Sequence, residues 1–574
     1  MPRSACAGTL EADQGADLLV MPGFRLSTSG AWVGALAAIV VSLLVVAGAG
    51  GSVVQTPRRG GTVVVWAPGG ETPCITPWLE ACFSAKVFRP FSFSFPYAVL
   101  AGTFRVGPDG TFEPYLVSGV DFTRKPPWVL TYHIRPEARW SDGVPVSAGD
   151  LVFTYRTLLR YKAQLFLDVK DVLDRIASVR ALDRKTVRVV MRKRWASWRI
   201  YLFMPVLPRH VLQGEDYPSV WRERIESPRT GKPIGSGPFL VSSWERGRRL
   251  TLVRNPRYWG PHPAYLDKLV VRFDAAGDPS QSFSRGEVDV TEALWPDTVL
   301  SLRHVPGIKR LTGPAPVWDH LEIRLGAGGH PALKNKLVRR ALAYGIDRQE
   351  IVRDLFRETV PGQQVADSTM FPNSSPYYRA NWSRYRYRPA EARRLLEQAG
   401  CRLGTDDVYV CEGERLALRF ATRGDVAQRV RTLELVRRQL RRAGVEVVPE
   451  YASQQVLFGQ IVPSGDFDLV EIALVPYAGE AADFVFGCGQ LFNYTGYCQR
   501  LVTADVNQAN LILDAEQWAR VLNRADARMA RDVPVLPLYW GAFVTAFRKD
   551  LRGVVFHPVD LFWSAENWWL AAQP

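Results

Sequence analysis

Residues 235–260 read GSGPFLVSSWERGRRLTLVRNPRYWG, and this stretch restricts the fold more tightly than any other part of the chain. Phe239 and Val241, then Leu250 and Leu252, alternate with polar neighbours on either side of a Glu245-Arg246-Gly247 break. A period of two around such a break predicts a β-hairpin. Asn255-Pro256 then stops it, because proline cannot donate to a strand ladder and the pair turns the chain. Tyr258 and Trp259 are left as large, half-apolar plates at the exit. By itself such a hairpin fits any β-rich protein.

The remaining signals add helices. Residues 62–66 (TVVVW) form a buried-strand run, and residues 128–134 alternate as a strand. Asp142-Gly143 is a turn pair, and Ser147 with Asp150 three positions on makes a capping box. A helix then follows with Leu151, Tyr155, Leu158 and Leu159 on one face. Leu333, Leu337, Ala341 and Gly345 stand at helical spacing, and Pro389 opens a helix that Gly400 closes. Val426, Val430, Leu433, Val436 and Leu440 line another, which stops at Gly444 and leads into a strand at 445–448. Residues 534–540 and 553–557 read as apolar strands. Alternating strands and helices without a fixed repeat indicate a mixed α/β chain. At 574 residues it is too long for one core and predicts two or three globular units.

With 47% hydrophobic and 22% charged residues the composition is that of a soluble protein. The exception is residues 31–49, nineteen positions without a charge, which suit either a membrane-spanning helix or the core of a signal peptide. Arg25 precedes the run and Ala47-Gly48-Ala49 offers the small residues of a cleavage site, so the chain is expected to be exported whether the segment is cleaved or retained. No Cys ends the run, so there is no acceptor for a lipid anchor. In the leader, residues 1–30, Glu11, Asp13 and Asp17 against Arg3 are unusual ahead of an export signal, which makes Met21 an alternative start. Residues 50–61 form a polar linker.

Cys6 falls in the leader, and the other six cysteines are close neighbours in sequence: Cys74 with Cys82, Cys401 with Cys411, Cys488 with Cys498. An even set of short-range partners behind an export signal reads as disulfides. Metal binding competes poorly, since no His lies near them and the gaps are not zinc spacings. The formal charge of +15 would allow nucleic acid or anionic lipid as partner. The basic residues, however, lie along helix faces such as Arg429, Arg431, Arg437, Arg438, Arg441 and Arg442 without interleaved aromatics. They read as a solvated face suited to an acidic membrane surface, and no nucleic-acid partner is expected.

The wording GSGPF, then a Trp, then RNPRYWG resembles the signature of the family 5 extracellular solute-binding proteins, the peptide-binding subunits of ABC importers. Five further segments follow in the family's order: ARWSDGVPVSAGDLVFTYRTLL, SRGEVDV, KLVRRALAYGIDRQEIV, YRPAEARRLLEQAG, and CGQLFNYTGYC with VPVLPLYW. The resemblance runs from about residue 60 to the C-terminus. It implies a class II fold like that of periplasmic binding proteins, with two lobes, a hinge and an additional domain. Lobe I would comprise residues 62–82, 210–317 and 535–574, the additional domain 83–209, and lobe II 318–534. Most of the quoted motifs would then be scaffold.

The same resemblance places a carboxylate that pairs with a peptide's amino terminus just before the late Cys and Asn region. The matching residue here is Tyr477, and the nearest carboxylates are Glu480 and Asp483. A Tyr hydroxyl cannot offset a buried ammonium charge, so the departure brings a blocked peptide, a sugar or another solute into play. Trp318 and Tyr539 stand where the chain passes between lobes and Trp78 lies in the first loop, so these three are the candidate cleft walls; each also fits a place in the core. The expected function is a monomeric receptor that captures a peptide or peptide-like solute and delivers it to an ABC permease. The alternative is an exported sensor for an oligosaccharide or metal chelate. An exported hydrolase is the weaker rival, as no Gly-x-Ser-x-Gly, His-Glu-x-x-His or Gly-x-Gly-x-x-Gly is present. No catalytic residue, metal or cofactor is expected.

Overall fold

A computed structural model describes residues 56–571 apart from 68–70, 72–73, 83–97, 109–110, 124, 166, 196–197, 274–278, 292–299, 475–481, 491 and 559. The leader and the 31–49 run lie outside the described residues.

Ten strands form the main sheet: β1 (Thr62–Trp66), β2 (Phe239–Glu245), β3 (Arg249–Arg254), β4 (Lys268–Arg272), β5 (Val290–Thr291), β6 (Ile308–Ile323), β7 (Ala417–Arg423), β8 (Glu446–Ala452), β9 (Leu469–Leu474) and β10 (Val535–Arg548). Their order is β8-β7-β9-β6-β10-β5-β1-β4-β3-β2. The predicted hairpin is β2–β3, at one edge. Pro449 lies in β8 at the other edge, where an unpaired strand side tolerates proline. In the middle β6 and β10 pair antiparallel from Ile308↔Arg548 to Glu322↔Val535. These two long strands carry the chain from one lobe to the other.

The first lobe lies around β1–β5. A smaller antiparallel sheet, in the order Val117–Phe122, Trp128–Ile134, Thr186–Met191, Ile176–Ala181, carries helices α1 (Ala148–Arg160) and α2 (Leu167–Arg175). Its buried Leu130, Tyr132, Val187 and Val189 belong to the same continuous core as Val63, Val65, Leu250 and Leu269 of the main sheet. The second lobe has its own core beneath α3 (Lys336–Gly345), α4 (Arg348–Phe356), α5 (Pro389–Gln398), α6 (Ala427–Arg442), α7 (Arg500–Ala509) and α8 (Ala515–Asp532). All three expected disulfides are present, Cys74–Cys82, Cys401–Cys411 and Cys488–Cys498.

The hairpin's flanking motif is explained by close backbone approach. A Cβ on Gly237 would lie 2.3 Å from the Ala98 carbonyl oxygen, so only glycine fits. Buried Asn255 donates from Nδ2 to Gly237 O (2.8 Å), and Trp259 Nε1 donates to Ser236 O (2.8 Å). The signature residues therefore tie the hairpin to its own approach segment.

Four expectations need correction. The capping box of α1 forms as read, with Asp150 Oδ2 accepting from Ser147 N at 2.8 Å, but Leu159 is 41% exposed. Arg209 N donates to Asp150 Oδ1 and Leu207 N to Thr154 Oγ1, which roll the helix onto its Asp150, Leu151, Thr154 and Leu158 side. Leu333 precedes α3 in a separate 3-10 turn, because Asn335 caps the helix by accepting from Leu337 N. Residues 553–557 are not a strand: Gly553 has φ +79°, and His557 is held by Val106 O and Asp560 N instead of a ladder. Arg429 is not on a solvated face but turned inward between two buried carboxylates, its side chain 12% exposed.

Candidate ligand-binding site

The lobes meet where the β6–β10 register slips. Pro314 pairs with Ala542 and Trp318 with Trp540, so three residues of β6 oppose the single Gly541. Such a bulge bends a ladder locally, and it lets two prolines sit in a central strand. Ala315, Val317 and Phe543 bury a small apolar cluster there, with Phe556 against it.

Immediately on the second-lobe side stand two of the predicted wall residues, and both are buried, Trp318 at 1% and Tyr539 at 0% exposure. Trp318 stacks flat on His320, ring centroids 3.5 Å apart, and meets Phe486 edge-on at 5.9 Å. Phe486 closes the short helix Ala482–Phe486, whose first turn carries Asp483. Trp318 thus stands behind the helix that presents a predicted site carboxylate. On the opposite face of the sheet Tyr539 Oη accepts from Gln428 Nε2 (2.6 Å) and takes the edge of Phe356.

Beside Tyr539 lies the second lobe's buried ion cluster. Arg429 Nη1 reaches Asp319 Oδ1 at 2.6 Å and Glu471 Oε1 at 2.9 Å. Burial, then the charge of Asp319, pushes the Glu471 carboxyl up to about 8, with Arg429 acting against the rise. Asp319 is raised as well, chiefly by burial. With Glu471 protonated the three groups carry no net charge, the condition under which a buried cluster avoids its heaviest desolvation cost.

Asp483 itself is half-buried, and its Oδ1 is enclosed without a hydrogen-bond partner. Burial raises its pKa, while Asn510 and the guanidinium of Arg175 pull the other way. Arg175 ends α2 in the smaller-sheet region, its guanidinium 5.4 Å from the Trp195 ring centroid. A cation of the first lobe therefore lies within electrostatic range of a second-lobe carboxylate. Leu513, also from the second lobe, packs against the first-lobe core, and Arg303 bonds Glu358 at 3.1 Å.

Trp78 lies on the first-lobe side, partly buried, with φ +70°, a conformation rare for a bulky residue. It is held there because Pro77 O accepts from Tyr217 Oη (2.5 Å), Leu79 bridges Leu165, and Glu80 pairs with Lys170 of α2 (3.3 Å). Tyr477 and Glu480 lie outside the described residues. A separate shallow groove of about 550 Å³, lined by Val144, Ser147, Asp183 and Arg184 among others, contains none of the predicted residues.

Residues 111–491 match the bacterial extracellular solute-binding proteins, family 5, in its middle region. The chain belongs to that family. One similar family 5 relative is the oligopeptide-binding protein OppA of Mycobacterium tuberculosis, 29% identical over 470 residues, covering 79% of this chain and 76% of the relative. Among solved structures, the periplasmic EDTA-binding protein EppA superposes with TM-score 0.77 at 20% identity, over 90% of this chain and 98% of its own. The oligopeptide-binding protein AppA of Bacillus subtilis, in complex with a nonapeptide, does so at 0.68 and 20% identity, over 90% and 100%. These neighbours share the two-lobed class II fold. Within this family 5 chain, sequence reading did not find Arg175 or the role of Arg429. Arg429 meets its carboxylates, and Arg175 comes within electrostatic range of Asp483, across long sequence separations, so no local pattern marks either.

Proposed function

We propose that the protein captures a peptide with a free amino terminus between its lobes and delivers it to an ABC permease. Asp483 carries the reading: an enclosed carboxylate oxygen lacking a partner, on a short second-lobe helix within electrostatic range of the first-lobe Arg175. A ligand ammonium would supply the missing donors, and a buried charge of this kind is costly without one. Asp483 thereby takes the part that Tyr477 cannot. Arg175 opposite would meet an anionic group of the same ligand, and Trp78 would wall the first-lobe side. Trp318 and Tyr539, being buried, support the site from behind. The names of the oligopeptide-binding relatives favour a peptide, and a polyanionic metal chelate is disfavoured by the carboxylate of Asp483. Export leaves the receptor released or held at the membrane through residues 31–49, acting as a monomer.

Thermal-shift and calorimetric titration with free peptides, their N-acetylated forms and a metal–EDTA chelate tests this. Free peptides should bind best. Asp483→Ala should weaken them at least about 30-fold, the lower end of what truncating one partner of a buried charge pair costs. Preference for the chelate, or unchanged peptide affinity in the variant, would sink the reading.

A further inference from the structure

Solute capture leaves unused a run of arginines on the outside of the second lobe. Helix α5 and the segment before it place Arg384, Arg388, Arg393 and Arg394 beside Arg340 of α3 and Arg442 of α6. They are contiguous: Arg388 Nη2 donates to Arg384 O (3.4 Å), the Arg388 guanidinium lies 4.7 Å over the Tyr344 ring, and Arg393 Nε donates to Arg442 O (3.1 Å). Three carboxylates share the area, one being Glu350, which Gln439 and Arg438 hold and which feels the charge of Arg442. Glu391 is held by a two-pronged bond to Arg394, at 2.8 Å on each oxygen, and Glu397 accepts from Tyr409 Oη (2.9 Å). The Arg394 bond keeps the Glu391 pKa low, with the charges of Arg388 and Arg340 adding to it. Among the described residues no carboxylate pairs with Arg384, Arg388, Arg393 or Arg442, and the first two and the last are exposed. The patch stops at the hairpin of residues 402–415, where Asp406, Asp407, Glu412 and Glu414 restore negative charge.

The make-up of the patch selects the partner. A fitted protein interface is centred on aromatic or aliphatic anchors. Here Tyr344 is buried, and the lobe's exposed large apolar residues lie elsewhere, Val448, Tyr451, Val456 and Phe458 on β8 and the turns after it, Leu501 and Leu511 at the ends of α7, and Leu403 and Val410 on the bordering 402–415 hairpin, with none among the described residues on α5 or the segment before it. What remains is guanidinium, which pairs with phosphate oxygens in a planar fork and needs no fixed partner shape. We propose that this arginine face holds the second lobe against an anionic lipid surface.

The test measures binding of the exported protein to phosphatidylcholine vesicles with and without phosphatidylglycerol. One variant combines Arg384→Gln, Arg388→Gln, Arg393→Gln and Arg442→Gln. A charge-matched control combines Arg180→Gln, Arg224→Gln, Arg229→Gln and Arg248→Gln. At about fivefold per exposed arginine near an anionic leaflet, the exposed Arg384, Arg388 and Arg442 alone make the patch variant lose on the order of 100-fold affinity for phosphatidylglycerol vesicles. The control should lose less than about fivefold, and raised salt should abolish the difference. A retained 31–49 segment adds equally to both vesicle types and both variants, so the ratios stand. Unchanged melting temperatures check that both variants fold. Equal losses in the two variants would reduce the effect to net charge and overturn the proposal. So would equal binding to both vesicle types, or binding seen only on native membranes and destroyed by protease.

Discussion

The hairpin β2–β3 and the second-lobe end of β6–β10 are antiparallel pairs in one sheet, yet different chemistry holds them. In the hairpin, Phe239, Val241, Leu250 and Leu252 are buried against apolar neighbours, and turn residues are bonded within a few tens of positions of themselves. At the β6–β10 end the buried set includes Asp319 and, on β9, Glu471, both held by Arg429 from α6, and His320 with Glu322, which bond to each other. A wholly apolar end would be cheaper to bury, since replacing a buried ion cluster by packed apolar residues is often neutral or stabilising. The contrast separates a part that only has to exist from a part adjoining the bend and the helix that carries Asp483.

Removing Arg429 should break that contrast most severely. Arg429→Met leaves two carboxylates facing each other in the core and should cost about 3–5 kcal/mol, read by urea unfolding. A loss below about 1 kcal/mol would mean that water already reaches the cluster. On the hairpin side, Gly237→Ala drives a methyl into the Ala98 backbone and should cost about 1–3 kcal/mol with no change in pH dependence.

Glu471→Gln sharpens the comparison through protons. The folded-state pKa of Glu471 is raised to about 8, so the folded chain holds this proton more tightly than the unfolded one. The resulting stability is complete below the ordinary carboxylate range and is lost as pH rises towards and through about 8. The wild-type melting temperature should therefore fall between pH 5 and 9, and the glutamine variant should fall less across the same range. Parallel curves would show that the cluster does not hold its proton. Leu159→Ala, at an exposed position that the sequence pattern assigns to the core, should change stability by no more than about 0.5 kcal/mol.

What could be read in advance follows the same division. The hairpin, the α1 capping box and the three disulfides depend on residues within a few positions of each other, and each was legible. Strand β6 was not, because its Gly313-Pro314-Ala315-Pro316 reads as a breaker and becomes tolerable only at a bulge. The extension of β10 beyond Trp540 depends on the same pairing. In the candidate site, Asp483 could be nominated from its place before the late cysteines. Its opposite number Arg175 lies at the end of an unrelated helix, and only the tertiary fold brings the two into electrostatic range. Arg429 sits among other arginines of α6, and nothing in that run distinguishes the one that turns inward.

The bulge opposite Gly541 has a mechanical consequence. Because both lobes share one hydrogen-bonded sheet, relative movement is flexure of two strands and not rotation about a loose linker. Bending on solute capture is therefore expected to concentrate at residues 315–317, where the ladder is interrupted. The amides of that short arc should exchange with solvent well ahead of the ladder on either side, marking the place where the pairing is weakest.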